Sequence, residues 1–131
     1  MDIGGGFSLI GTIKEFDDIS DSISYSELLE LDDKLTPRNL IVDYLESYSQ
    51  NLVLGWMGYT VDPIDGAFIC PSAYFTDGKF VWPGYYSYYL RKFPAWKIDP
   101  VFLQYVGSGE KSIITDEIIS TIEEVLINIL K

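Results

Sequence analysis

The chain contains no histidine, and that absence removes a large class of chemistry. Histidine is the usual general base at neutral pH and the commonest metal ligand. It is also the base that activates the serine in Ser-His catalytic arrangements. Cys70 is the only cysteine, so neither an intrachain disulfide nor a cysteine-rich zinc site can form. The sequence therefore predicts a protein without a cofactor, a metal ion or an enzymatic activity.

The sequence also lacks features of export and membrane insertion. An acid, Asp2, stands where a signal peptide would carry basic residues, and no apolar run approaches the length of a membrane span. A single cysteine is typical of a reducing compartment. We expect a cytoplasmic protein.

Basic residues are scarce, with nine Lys and Arg against twenty Asp and Glu, a net charge of −11. This balance argues against binding to nucleic acid or to an anionic membrane, which both require clustered positive charge. It favours a cationic partner, although acidity that only maintains solubility would give the same composition.

The negative charge is concentrated in the first third of the chain. Residues 1–50 hold eleven acids against three bases, a net charge of −8, whereas residues 51–108 are neutral. We therefore expect the acids of the first third to face a partner. The candidates are Asp17, Asp18, Asp21, Glu27, Glu30, Asp32 and Asp33.

Four predicted helices begin with residues that cap helix N-termini. These N-caps are Ser24, Thr36, Asp99 and Thr115. The apolar stripe predicted after Thr36 consists of Leu40, Ile41, Tyr44, Leu45 and Tyr48. The final helix has one continuous apolar face, formed by Ile118, Ile119, Ile122, Val125, Leu126 and Ile129. A further helix is predicted over 83–93.

The middle of the chain predicts an antiparallel meander of three strands. Residues 51–61 are apolar at successive positions, which is typical of a covered central strand. Residues 67–75 form the second strand, with Pro71 requiring a bulge or an edge position. Asp77-Gly78 predicts a hairpin turn into the third strand at 79–82.

The fold class is therefore α+β, a small antiparallel sheet packed with helices, including the amphipathic C-terminal helix. Residues 7–16 are the candidate for a fourth strand, and residues 1–6 are predicted to be loose. With 131 residues, the chain fits a single domain.

Carboxylate chemistry is the remaining catalytic possibility. Asp62 and Asp65 lie in "DPIDG", which has some features of a calcium loop or of an acid-base pair. The segment lacks the further ligands of a calcium loop, and Asp, Pro and Gly are also the residues of a tight turn. We favour the turn.

The tyrosine-rich segment 81–96 raises the question of which rings are buried. On a helix, one side would carry Tyr86, Tyr89, Leu90 and Phe93, which together with Trp82 we assign to the core. We assign Tyr85, Tyr88 and Trp96 to the outside, where tyrosine and tryptophan suit a protein interface. Burial of all these rings between sheet and helices is the alternative.

Three stretches within residues 51–106 resemble small cytoplasmic immunity proteins of bacterial polymorphic-toxin and contact-dependent inhibition systems. The matching residues are Thr76, Asp77, Gly78, Phe80, Val81, Trp82 and Pro83, then Tyr88, Tyr89 and Leu90, then Pro100, Phe102 and Leu103. The resemblance implies a non-enzymatic protein that binds a cognate toxin domain and blocks its active site or a neighbouring surface.

The acidic composition also indicates that this toxin would be basic, as nucleases are. Two other functions stay open. One is an intracellular adaptor or homodimeric assembly subunit, with the C-terminal helix as the dimer seam. The other is an enzyme or metal-binding protein that uses Asp62 and Asp65.

Overall fold

The computed structural model describes residues 1–31 and 38–130. The N-terminal part contains β1 (Asp2–Gly4), β2 (Phe7–Leu9), α1 (Lys14–Asp17), α2 (Tyr25–Leu29) and α3 (Asn39–Ser47). The meander follows as β3 (Leu52–Val61), β4 (Phe68–Thr76) and β5 (Phe80–Pro83), and the chain ends with α4 (Tyr86–Lys92), α5 (Pro100–Ser108) and α6 (Asp116–Leu130). The α+β class is confirmed.

The strands form one five-stranded sheet in the order β1-β2-β5-β4-β3. The meander β3-β4-β5 is antiparallel, as predicted, with Asp77 and Gly78 between β4 and β5. The fourth strand predicted within residues 7–16 is present as β2, which is short and pairs parallel to β5. Residues 1–6 are not loose throughout, because β1 pairs with β2 and buries Ile3.

Helices cover both faces of the sheet. Phe80 and Trp82 point into a cluster with residues of α2, α3, α4 and α5. Val81 lies between them in sequence and therefore points to the other face, where it joins Ile122 and Leu126 of α6. The protein thus has three layers, with α6 on one side of the sheet and α2, α3, α4 and α5 on the other.

The predicted caps within the described residues are present. The Ser24 hydroxyl accepts a hydrogen bond from Glu27 N at 3.2 Å, Asp99 accepts from Val101 N at 2.8 Å, and Thr115 accepts from Ile118 N at 3.2 Å. Thr36 and Pro37 lie outside the described residues.

Two predictions about helices are wrong in detail. The apolar spacing places Leu40 in the buried stripe of α3, but Leu40 is 85% exposed and Val42 is buried instead. Helix α4 begins at Tyr86 rather than at Pro83, because Pro83 still belongs to β5 and pairs with Tyr74.

Candidate functional site

Strand β3 lies at the edge of the sheet and exposes much of its apolar sequence. The prediction of a covered central strand is therefore wrong. Met57 is 98% exposed, and its neighbours on the strand and the following turn are also open. We call this the β3 surface. It consists of four residues of β3, one of the following turn and the first residue of β4, namely Trp56, Met57, Tyr59, Val61, Ile64 and Phe68.

A bulge in β3 explains why Trp56 and Met57 project. Gly55 pairs with Ala73 and Tyr59 pairs with Pro71, so a four-residue step on β3 spans a two-residue step on β4. Pro71 has no N–H to donate to the ladder, and Gly58 has a φ of +114°, which a residue with a side chain rarely adopts. The extra residues arch away from the sheet and carry Trp56 and Met57 with them.

A cleft of about 240 Å³ opens beside the bulge, and we call it the Asp17 cleft. The residues that line this cleft include Trp56 and Tyr59 from β3, Tyr74 from β4, and Phe16 and Asp17 from α1. The rings of Trp56 and Tyr74 lie 5.7 Å apart. Aromatic walls thus surround a single carboxylate.

Two tyrosine hydroxyls hold the carboxylate of Asp17. Tyr74 donates to Oδ1 and Tyr85 donates to Oδ2, while the Tyr85 hydroxyl accepts from Ile13 N at 2.7 Å. Burial raises the pKa of Asp17 above its usual value, although both tyrosine hydrogen bonds act in the opposite direction. Burial and the nearby carboxylate raise the pKa of both tyrosines, so they stay protonated as donors.

Asp62 has a second set of tyrosine contacts and does more than form a turn. Its Oδ1 accepts from Ile64 N at 2.8 Å and from Asp65 N at 3.3 Å, which is the predicted turn. Its Oδ2 accepts from Tyr25, Tyr89 and Lys92 at 3.0–3.1 Å. These bonds tie the β3–β4 turn to α2 and α4.

The ionised form of Asp62 is strongly favoured. Burial alone would raise the pKa of this carboxyl, but hydrogen bonds from Ile64 N, Lys92 and Tyr89 hold it well below its ordinary value. Desolvation would lower the pKa of Lys92, and the bond to Asp62 raises it instead.

A third pair joins α3 to the β4–β5 turn. Tyr44 donates to Asp77 Oδ2 at 2.6 Å, and Asp77 Oδ1 accepts from Lys79 N and Phe80 N. Asp77 is therefore the turn residue that was predicted, with a tyrosine from a helix added. In all three sites a carboxylate is the acceptor for tyrosine hydroxyls.

Two aromatic residues assigned to the outside are buried. Tyr85 is 4% exposed because its hydroxyl reaches Asp17, and Trp96 is 7% exposed because its ring packs edge-on against Tyr86 at 5.0 Å. Tyr88 is half-buried against Tyr89. The core assignments are confirmed for Trp82, Tyr86, Tyr89, Leu90 and Phe93.

The predicted acids within the described residues differ in their exposure. Asp17 is half-buried and lines the cleft, whereas Asp18, Asp21, Glu27 and Glu30 are exposed. Asp32 and Asp33 lie outside the described residues. The residues that sequence reasoning missed are those of the β3 surface, and the available signal was Pro71, which disturbs the strand beside it.

Within residues 1–31 and 38–130, no three His, Cys, Asp or Glu side chains group in a way that suits a metal ion. No helix in that part of the chain is both long and apolar enough to cross a membrane. Comparisons with protein-family models, with curated proteins and with solved structures found no match.

Proposed function

We propose that this protein is a cytoplasmic, non-catalytic immunity protein that binds a basic toxin domain through the β3 surface. Bound there, it would hold the toxin inactive by covering its active site or substrate-binding surface. The observation that supports this proposal most strongly is the exposed, bulged edge strand with its projecting aromatic and methionine side chains.

The β3 surface has the composition of a protein interface. Aromatic residues and methionine are enriched at interfaces, and burying a fully exposed Met side chain contributes about 1.5–3 kcal/mol. Edge strands with apolar exposed side chains are a liability unless a partner covers them. Trp56, Met57 and Tyr59 are therefore the expected anchors of the complex.

The net charge of the protein and the acids of α6 suit a basic partner. Helix α6 packs against β3 and carries Asp116, Glu117, Glu123 and Glu124, with no Lys or Arg between residues 116 and 130. Together with the net charge of −11, this favours rapid capture of a positively charged domain. A toxin that binds nucleic acid has such a surface, and the acids would take the place of its substrate phosphates.

The direct test is calorimetry with the C-terminal domain of the protein encoded by the adjacent gene, at low and moderate salt. We expect 1:1 binding that weakens as salt increases. Binding that is indifferent to salt would retain the immunity role and remove the electrostatic part. Absence of binding would contradict the proposal.

A pair of substitutions tests the interface. Met57→Lys should weaken binding to a basic partner more than Met57→Glu, because the two differ in charge at one exposed position. Ile113 is 77% exposed and lies outside the β3 surface, so Ile113→Lys is the matched control. Equal effects at both positions would exclude β3 as the interface.

A homodimeric assembly subunit is the second candidate function, since an edge strand can pair with the same strand of another copy. The apolar face of α6 is not available as a seam, because Ile122 and Leu126 are buried against the sheet. Sedimentation of the isolated protein distinguishes the two: a tight dimer that Met57→Lys dissociates favours the assembly subunit.

A further inference from the structure

We propose that the Asp17 cleft is a receptor for a guanidinium group, supplied by an arginine side chain of the basic partner. This inference rests on the proposed function, and it identifies which chemical group of the partner enters the protein. It is carried by the juxtaposition of one carboxylate with the aromatic rings of Trp56, Tyr59 and Tyr74 in an open cleft.

The carboxylate of Asp17 is oriented and still has capacity to accept. Each carboxylate oxygen has two lone pairs; Tyr74 donates to one oxygen, Tyr85 donates to the other, and a backbone hydrogen bond from Ile13 also acts on this carboxyl. A guanidinium group can donate to the position that remains. Among the described residues, the two ion pairs are Arg91–Glu46 and Lys92–Asp62, so neither involves Asp17.

The aromatic walls suit the same group. A guanidinium is planar and weakly hydrated, and it stacks on the faces of tryptophan and tyrosine more readily than an ammonium does. Trp56 stands 5.7 Å from Tyr74, and the Tyr74 hydroxyl reaches Asp17, so the ring and the carboxylate border the same space. An entering cation would meet an aromatic face and a negative charge together.

The carboxylate of Asp17 is already partly removed from water in the unbound protein. Burial raises the pKa of this carboxyl, which means that its charge is poorly stabilised in the unbound state. An incoming cation would stabilise the negative charge of Asp17, while Tyr74 and Tyr85 keep their positions. A preorganised site of this kind binds more tightly than a solvated surface carboxylate would.

The first experiment is an NMR titration of the full chain with methylguanidinium, followed at the Trp56 indole and the Asp17 backbone amide. We expect saturable shifts that Asp17→Asn abolishes. Asp18→Asn is the matched control, because Asp18 is exposed and Asn tolerates its φ of 55°. Absence of saturable shifts would overturn the proposal, as would equal binding of methylammonium.

The second experiment measures toxin-domain affinity for the same variants. Asp17→Asn should weaken binding at least about tenfold, and Asp18→Asn less than about threefold. Trp56→Ala provides a second variant that leaves the Asp17 contacts in place. Full affinity in both Asp17→Asn and Trp56→Ala would refute the cleft while leaving the immunity role standing. Methylguanidinium binding without toxin binding would refute the immunity role alone.

Discussion

Replacing Asp62 by Asn is the sharpest test of how the tyrosine-aspartate contacts stabilise the fold. Asp62 is 1% exposed, and its Oδ2 accepts from Tyr25, Tyr89 and Lys92. In the variant, an amide nitrogen or oxygen must occupy that position. If the nitrogen faces these donors, the hydroxyls can turn round and accept, but the ammonium of Lys92 cannot.

The expected loss follows from these contacts. A buried hydrogen bond to a charged group contributes about 1.5–3 kcal/mol, and the side chain of Lys92 is about one-third exposed, so it can return to water. We expect Asp62→Asn to lower the free energy of unfolding by about 2–3 kcal/mol. Asp62→Ala also removes the acceptor for Ile64 N and should cost about 3–5 kcal/mol.

The assay is urea denaturation followed by tryptophan fluorescence. A loss of 2–3 kcal/mol shifts the midpoint by about 1–2 M. Asp65→Asn is the control, since Asp65 is exposed and accepts one backbone hydrogen bond, from Ala67, and its effect should stay within about 0.5 kcal/mol. Equal midpoints for both variants would refute the reasoning.

The pH dependence of the same variant gives an independent check. The pKa of Asp62 is lowered on folding, so its contribution is fully present above the unfolded value of about 3.9 and is lost as pH falls towards the folded value. The difference between the original protein and Asp62→Asn should therefore shrink below about pH 4. A difference that grows on acidification would contradict the assigned direction.

Three further predictions concern other parts of the chain. Gly11→Ala should lower the free energy of unfolding, measured by thermal denaturation, by at least about 3 kcal/mol, because the new Cβ would lie 2.3 Å from Cγ of Tyr86 at a φ of +73°. At its control, Gly107→Ala, the new Cβ meets no atom within 4 Å, and the substitution should stabilise α5 by about 0.5 kcal/mol. Since the pKa of Asp17 is raised on folding, the native state binds the extra proton between about pH 3.9 and that raised value. The free energy of unfolding of Asp17→Asn, relative to that of the original protein, should thus increase as pH rises from 4 to 7. A decrease over this range would contradict the reasoning. Burial raises the pKa of the Cys70 thiol, so a thiol reagent at pH 8 should react more slowly with the native than with the denatured protein.

Local signals in the sequence were sufficient for many elements of the fold. The turn at Asp77-Gly78, the caps at Ser24, Asp99 and Thr115, and the apolar face of the last helix depend on residues close in sequence. Their geometry follows from side-chain chemistry and from the helical and strand periods. These predictions agree with the structure.

The errors arose where distant segments decide the outcome. A helix over 83–93 places Tyr85 on its outer side, but α4 starts one residue after Tyr85 and the Tyr85 hydroxyl reaches an aspartate 68 residues earlier in the chain. The apolar residues on both faces of β3 predict a central strand, whereas the strand lies at the edge of the sheet. Its position at the edge depends on the pairing of β2 with β5, for which the sequence contains no local signal.

The bulge in β3 has a consequence for how the chain behaves at high concentration. A regular ten-residue apolar edge would offer a continuous ladder to any other exposed strand, which is the usual route to aggregation. Between Gly55 and Tyr59 the pairing of β3 with β4 is irregular, and a bulge of this kind bends the strand, so its outer edge is not a regular template there. A second copy can therefore align with only part of the strand, while the arched segment remains open to a partner shaped to fit it. The same residues that expose Trp56 and Met57 thus limit self-association of the protein.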